Sequence, residues 1–213
     1  MKDVVTKEEL REALEERIGS RLLEKFESST VAICGLGGLG SNIAISLARA
    51  GVGKLILIDF DRVDVSNMNR QQYKVAQIGM EKTEGLRENL REIAPYIELE
   101  SHFVKLEDSN YHRLLKDADV ICEAFDVAEE KSKLVDFVME NMPEKYLVAA
   151  SGMAGLATPN SIKTHRVTSH FYLCGDGESD VEKLGSLFAP RVMLCAAHQA
   201  TTVLRILAGK MEA

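Results

Sequence analysis

Six consecutive residues, Gly35-Leu36-Gly37-Gly38-Leu39-Gly40, place glycines at G-x-G-x-x-G spacing between an apolar run, Thr30–Cys34, and a helix-forming stretch, Ser41–Ala50. Glycines there allow a tight turn and close backbone approach to a phosphate. The start of a helix adds free N–H groups and a partial positive charge. Asp59 ends a second apolar run, Leu55–Asp59, 19 residues after Gly40, where a carboxylate can accept hydrogen bonds from ribose hydroxyls. The loop alone could be a glycine-rich packing turn. Loop, strand context and acid together point to an adenosine-type nucleotide.

The same features would serve a nicotinamide dinucleotide, and so an oxidoreductase. The residues after Asp59 separate the two. The segment Asp59–Gln71 is long and polar, it carries Arg62 and Arg70, and Lys82 opens the next helix after Gly79. A triphosphate concentrates more negative charge than a pyrophosphate bridge, and Arg and Lys meet it through forked and point-charge contacts. Singly, each of these cations reads as a solvated surface charge. In order behind a phosphate loop they favour ATP. Asp126 follows the apolar run Val120–Phe125, at the carboxyl edge where ligands bind in open α/β sheets. It could also cap the helix that begins after it, and the two roles are not exclusive.

The elements that must position these residues alternate in type. Thr6-Lys7-Glu8-Glu9 has the form of a capping box, and Leu10, Leu14, Ile18, Leu22 and Phe26 recur every fourth residue. That spacing predicts one amphipathic N-terminal helix of about 20 residues. Strands are expected at Thr30–Cys34, Leu55–Asp59, Leu99–Val104, Val120–Phe125 and Leu147–Ala150, with helices at Ser41–Ala50, Met80–Ala94 and Glu129–Asn141. This alternation predicts an α/β, Rossmann-like, doubly wound and mainly parallel sheet. After Gly155 the pattern changes to two short strands, Ile162–Arg166 and Ser169–Leu173, joined by a turn. A polar loop, Gly175–Asp180, and a closing helix, Val192–Leu207, come last. The expectation is a C-terminal antiparallel extension on a single domain spanning residues 1–213.

Composition sets the limits. The chain has 213 residues, 46% hydrophobic and 28% charged, with a net charge of −7. An acidic balance argues against broad nucleic-acid binding, which needs a basic surface. Cys34, Cys122, Cys174 and Cys195 follow no disulfide spacing; Cys34 and Cys122 sit in apolar runs and read as buried. A reducing compartment, the cytoplasm, is the expectation. The charged N-terminus lacks the apolar core of a signal peptide, and no apolar stretch is long enough to span a membrane.

The run ICGLGGLGSNIAISLARAGVGKLILIDFDRVDVSNMNRQ, the Gly79–Lys82 turn and CEAFD ending at Asp126 resemble the ThiF/MoeB/HesA proteins, the bacterial branch of the ubiquitin-activating superfamily. The resemblance covers about residues 31–126, and the short chain resembles the compact ThiF-like proteins of thiamine biosynthesis. It implies ATP-dependent adenylation of the C-terminal glycine of a small ThiS-like carrier ending in Gly-Gly, with release of pyrophosphate. By position, Gly35, Gly37, Gly38, Leu39 and Gly40 would meet the nucleotide and Asp59 its ribose. Asn67, Arg70 and Lys82 would lie at the phosphates, with Asp61 and Gln71 in the same nucleotide site. Asp126 would bind Mg²⁺ and orient the carrier carboxylate. Arg70, Lys82 and Asp126 are thus the implied catalytic residues. A homodimer is also implied, in which an arginine from the partner's N-terminal region, Arg17 being one candidate, completes the site. Larger relatives carry two Cys-x-x-Cys pairs for zinc; this chain has none, and His170, Cys174, Cys195 and His198 have no standard zinc spacing. The loop 175–190 contains no cysteine, which limits the expectation to adenylation without covalent transfer. A nucleotide-dependent scaffold that binds a carrier without catalysis is the remaining alternative.

Overall fold

Runs such as Val31–Cys34 and Leu55–Ile58 are buried at every residue, which requires packing on both faces and suits central strands of a parallel sheet. The computed structural model describes residues 5–212; residues 1–4 of the charged N-terminal segment and residue 213 lie outside them. Seven strands form one sheet: β1 (Thr30–Cys34), β2 (Lys54–Asp59), β3 (Glu98–Phe103), β4 (Val120–Glu123), β5 (Tyr146–Ala150), β6 (Lys163–Arg166) and β7 (Phe171–Gly175). Their order is β3-β2-β1-β4-β5-β7-β6. Every neighbouring pair is parallel except β6 and β7. The doubly wound sheet with an antiparallel C-terminal extension is therefore as the sequence predicts. From β1 the chain moves outward to β2 and β3, then returns to place β4 on the other side of β1. That reversal makes the carboxyl ends of β1 and β4 the switch point of the sheet.

The helices are α1 (Lys7–Ile18), α2 (Ser20–Glu27), α3 (Gly38–Arg49), α4 (Lys82–Ile93), α5 (Tyr111–Leu115), α6 (Ala128–Asn141), α7 (Val181–Leu184) and α8 (Ala189–Leu207). Leu39, Ile43 and Leu47 of α3, Leu86 and Leu90 of α4, and Val192, Ala196 and Val203 of α8 join Val31, Ile33 and Leu57 in one core. Leu114 of α5 and Leu134 and Val138 of α6 join Ala32, Cys34 and Ile56 in the other. Alternate residues of β1 thus supply opposite faces, as the twofold period of a strand demands.

The N-terminus corrects the expected single helix. The Thr6–Glu9 capping box is present, but the helix breaks at Gly19, whose φ of +82° is a left-handed conformation that glycine adopts without penalty. The helical pattern resumes at Ser20, so the fourfold repeat spans two helices. Helix α3 begins at Gly38, inside the glycine loop, rather than at Ser41, and α8 begins at Ala189. Strand β7 lies two residues later than expected because 167–170 form the turn from β6. The sequence does not predict the short helices α5 and α7; five and four residues are too few to show a 3.6-residue period.

Candidate nucleotide-binding site

The glycines of the loop answer to different neighbours. Gly35 has φ +92°, and a Cβ there would lie 2.9 Å from the Ala124 carbonyl oxygen at the exit of β4. A Cβ on Gly40 would fall 1.8 Å from the Gly35 carbonyl oxygen, and one on Gly38 2.9 Å from Val192 Cγ1. These three positions let loop, α3 and α8 close on one another. Around Gly37 the nearest atom to an ideal Cβ is Gln71 Nε2, 3.7 Å away. Gly37 is the N-cap of α3 and no side chain caps the helix, which leaves its amino end available to an anion.

Asp59 fixes the loop from below. Only 7% exposed, it accepts the Leu36 N–H at 2.6 Å through Oδ2 and the Asp61 N–H at 2.7 Å through Oδ1. Burial pushes its carboxyl above the ordinary value, while Lys82 and the two N–H groups pull it back. Each carboxylate oxygen keeps a second lone pair for a ribose hydroxyl. The Tyr73 hydroxyl donates to the Leu36 carbonyl at 2.7 Å, so Leu36 is held at both its N–H and its C=O.

The cations stand beside this clamp. Lys82 opens α4 with its side chain 8% exposed, and its Nζ lies 2.7 Å from Asp61 Oδ2. Asp61, placed by its resemblance among nucleotide ligands, is here the counter-ion of Lys82. The stem of Arg70 runs along Gly38, with Cγ 3.4 Å from an ideal Cβ there. Its guanidinium donates to Ser66 O at 3.1 Å and Asn69 Oδ1 at 2.8 Å, both exchangeable surface contacts. Gln71 is 9% exposed and its Oε1 is buried with no partner. Its amide nitrogen, the donor end, is the end that faces Gly37. Asn67 accepts the Asp64 N–H at 3.0 Å, closing a short turn over Val65–Asn67. In this arrangement its side chain serves that turn.

Asp126 is exposed and follows Phe125, whose Cδ1 lies 3.0 Å from an ideal Cβ on Gly35. The N-cap of α6 is Val127, with no side-chain cap, which removes the helix-capping alternative for Asp126. Arg17 is exposed on α1. That helix packs through Leu14 on Gly51, just past the far end of α3, and α3 at 1.5 Å per residue spans roughly 18 Å. Arg17 therefore lies away from its own chain's loop.

Among the described residues no group of three or more His, Cys, Asp or Glu could hold a metal ion. His198 bonds Thr164 and His170 bonds Ser169. All four cysteines are free and buried. Burial raises the Cys174 thiol and pushes that of Cys195 up to about 12, so neither is an activated nucleophile.

Two ion pairs, each with a buried carboxylate side chain, escaped the sequence. Arg191 in the first turn of α8 pairs with Asp176, their side chains 6% and 8% exposed. Arg191 also donates to the carbonyls of Ala157 and Thr158. Burial works to raise the Asp176 carboxyl, but hydrogen bonds from Ser179 and Glu178, with the Arg191 charge, hold it below the ordinary value. Glu123, at the end of β4, pairs with Lys131 of α6.

A sequence model described as the ThiF family matches residues 10–213. The chain belongs to the ThiF family. Among curated members it is 32% identical over 162 residues to Ubiquitin-like modifier-activating enzyme 5 of Gallus gallus, covering 73% of this chain and 39% of that protein. It is 37% identical over 112 residues to the Molybdopterin-synthase adenylyltransferase of Haemophilus influenzae, covering 52% of this chain and 46% of that one. These alignments span less than half of each relative. Among solved structures, E. coli tRNA N6-threonylcarbamoyladenosine dehydratase, TcdA, superposes with a TM-score of 0.85 at 20% identity, over 97% of this chain and 98% of that one. E. coli MccB with ATP gives 0.67 at 21% identity, over 90% and 59%. At such identities the ThiF-family fold is what is shared. Among the described residues no helix is long and apolar enough to cross a membrane.

Proposed function

We propose that this ThiF-family chain is an adenylyltransferase that activates the C-terminal glycine of a small Gly-Gly-ended carrier with ATP, the carrier being of the ThiS type that serves thiamine biosynthesis. The observation that carries the reading is the convergence at the switch point. An uncapped helix start, the clamped Asp59, the Gln71 amide nitrogen and the Arg70 stem border one loop, and Lys82 stands behind Asp61, two residues past Asp59. The names of two relatives, an adenylyltransferase and a modifier-activating enzyme, support it.

In this reading the α- and β-phosphates lie over Gly37, the ribose meets Asp59, and Arg70 and Lys82 exchange their present partners for phosphate oxygens. A carrier carboxylate oxygen attacks the α-phosphorus, a new O–P bond forms, and the bond to the bridging oxygen breaks to release pyrophosphate. Two anions must meet, so the protein's task is neutralisation and alignment rather than proton abstraction. Mg²⁺ is bound through one or two carboxylates plus phosphates, and the exposed Asp126 suits that donor set. Bound there, the ion would neutralise charge on the phosphates. The reading includes a homodimer in which an N-terminal arginine of a second copy completes the site, the exposed Arg17 being one candidate.

Pyrophosphate exchange into ATP tests the proposal, using Gly-Gly-ended carriers of the thiamine and molybdopterin types. Exchange with the thiamine carrier is expected. Absence of exchange with either at saturating ATP and Mg²⁺, or ATP turnover stimulated by tRNA and by no carrier, would refute it.

A further inference from the structure

The ladder between β4 and β5 ends at Cys122 and Val148. Beyond it, side chains take over the role of strand pairing. The Ala150 N–H donates to Glu123 Oε2 at 3.4 Å, and the Ala150 carbonyl accepts from Lys131 Nζ at 3.1 Å. Lys131 Nζ also lies 2.8 and 2.9 Å from the two oxygens of Glu123. Gln199 of α8 donates to the carbonyls of Glu123 and Val148 at 2.9 and 3.2 Å. Strands β4 and β5 therefore part at a fixed place, and the backbone groups of Glu123, Val148 and Ala150 named here are met by side chains.

The same carboxylate reaches forward into the turn. Glu123 Oε1 accepts the Phe125 N–H at 2.7 Å, one residue before Asp126. Ala124 and Phe125 are also the residues on which Gly35 rests. Glu123 thus ties two segments together beside the switch point: β5 through Ala150, and the turn that carries Asp126. Its side chain is 1% exposed and that of Lys131 22%, and a charge buried in this way is a poor source of net stability, since apolar side chains of similar volume often hold a core as well. What apolar packing could not supply is a set of directed bonds that fixes where the β4 turn points.

We propose that Glu123 and Lys131 are a positioning pair for the adenylation site, aiming the Asp126 carboxylate at the metal–phosphate complex. The proposal rests on the function proposed above and adds residues that touch neither nucleotide nor carrier. In Lys131→Met the carboxylate that anchors the Asp126 turn loses its counter-ion and its tie to the Ala150 carbonyl, while the glycine loop keeps its Asp59 and Tyr73 clamps. ATP binding without metal should then survive, and the gain in affinity from Mg²⁺ should not.

Calorimetric titration of ATP in EDTA and in Mg²⁺, on the full chain, separates these two effects. Lys131→Met should bind ATP in EDTA within about twofold of wild type, lose about tenfold or more of the Mg²⁺-dependent gain, and lose turnover in parallel, as misplacement near reacting groups does. Lys131→Arg, which keeps the charge and the reach, should restore most of the gain. Because a lone buried carboxylate could unfold the single variant, the neutral pair Glu123→Gln with Lys131→Met provides the second measurement, with the same loss expected. The proposal is overturned if these variants keep the wild-type response to Mg²⁺. It is equally overturned if they lose ATP affinity to the same extent in EDTA, or if wild-type ATP affinity is indifferent to Mg²⁺. Wild-type protein that shows the Mg²⁺-dependent gain but no pyrophosphate exchange would refute carrier adenylation and leave the positioning result standing.

Discussion

Gly40→Ala puts a methyl group 1.8 Å from the Gly35 carbonyl oxygen and 2.9 Å from its carbonyl carbon. Both contacts are with backbone, so no rotamer change relieves them, and loop and helix must separate by more than about 1 Å. Gly35 cannot simply retreat, because its N–H bonds Ile58 O at 2.9 Å and the next residue, Leu36, is bonded to Asp59 and Tyr73. Overpacking of this kind costs about 1–3 kcal/mol, and a strained hydrogen bond adds about 1 kcal/mol. For a chain of this length that lowers the melting temperature by roughly 5–15 °C. ATP binding should fall further, since the amides at the start of α3 leave their positions. Loss of one charge-assisted contact costs about 1.5–3 kcal/mol, or roughly 10- to 150-fold in affinity. Gly37→Ala is the comparison: its methyl meets nothing closer than 3.7 Å, and it loses only the N-cap preference for glycine over alanine, about 1 kcal/mol, so the free protein should melt within roughly 4 °C of wild type. Thermal melts of the free proteins and calorimetry with ATP give both numbers. A Gly40→Ala protein with wild-type melting and affinity, or a Gly37→Ala protein as unstable as Gly40→Ala, would refute the reasoning.

Arg70→Ala removes a guanidinium held only by surface acceptors; stability should change by less than about 0.5 kcal/mol, while ATP affinity falls about 10- to 150-fold, read by melts and calorimetry on the same sample. Asp176→Ala leaves Arg191 buried without its counter-ion and should cost about 3–5 kcal/mol at neutral pH, measured by urea unfolding. The native Asp176 carboxyl is held below its ordinary value, so the unfolded chain binds more protons between the two values. Its contribution is full above about pH 3.9 and fades as pH falls through the native value. The gap between wild type and variant should narrow on acidification below that point, and a constant gap would remove Asp176 from the acid response.

Much of the site is legible in the sequence because its parts are close along the chain. The loop lies between β1 and α3 and Asp59 ends the next strand, so a local pattern carries the strand-turn-helix geometry and its acid. The break at Gly19 is hidden for an equally local reason: the apolar repeat continues across it, and periodicity alone does not reveal that a glycine has turned left-handed. The illegible parts depend on register and crossover. Glu123 finds Lys131 and Ala150 only once β4 and β5 are paired and α6 has packed on them. Arg191 meets Asp176 only when α8 returns to the end of β7. A lysine five residues after Asp126 reads as an ordinary exposed helix charge until that packing exists. Asn67 shows the converse: a residue in the expected order whose side chain closes its own turn.

The pairing of Lys82 with Asp61 has a further consequence. One partner is buried and the other half open to water, so in the proposed nucleotide site the carboxylate would be a resident place-holder for the incoming phosphate. An incoming ligand competes with Asp61 before it meets the lysine. Chloride or a lone phosphate, with little else to hold it, is a poor competitor. A ligand anchored at the same moment by its ribose and by the start of α3 is a good one. On the proposed function, discrimination at this position would be set as much by the displaced acid as by the receiving base.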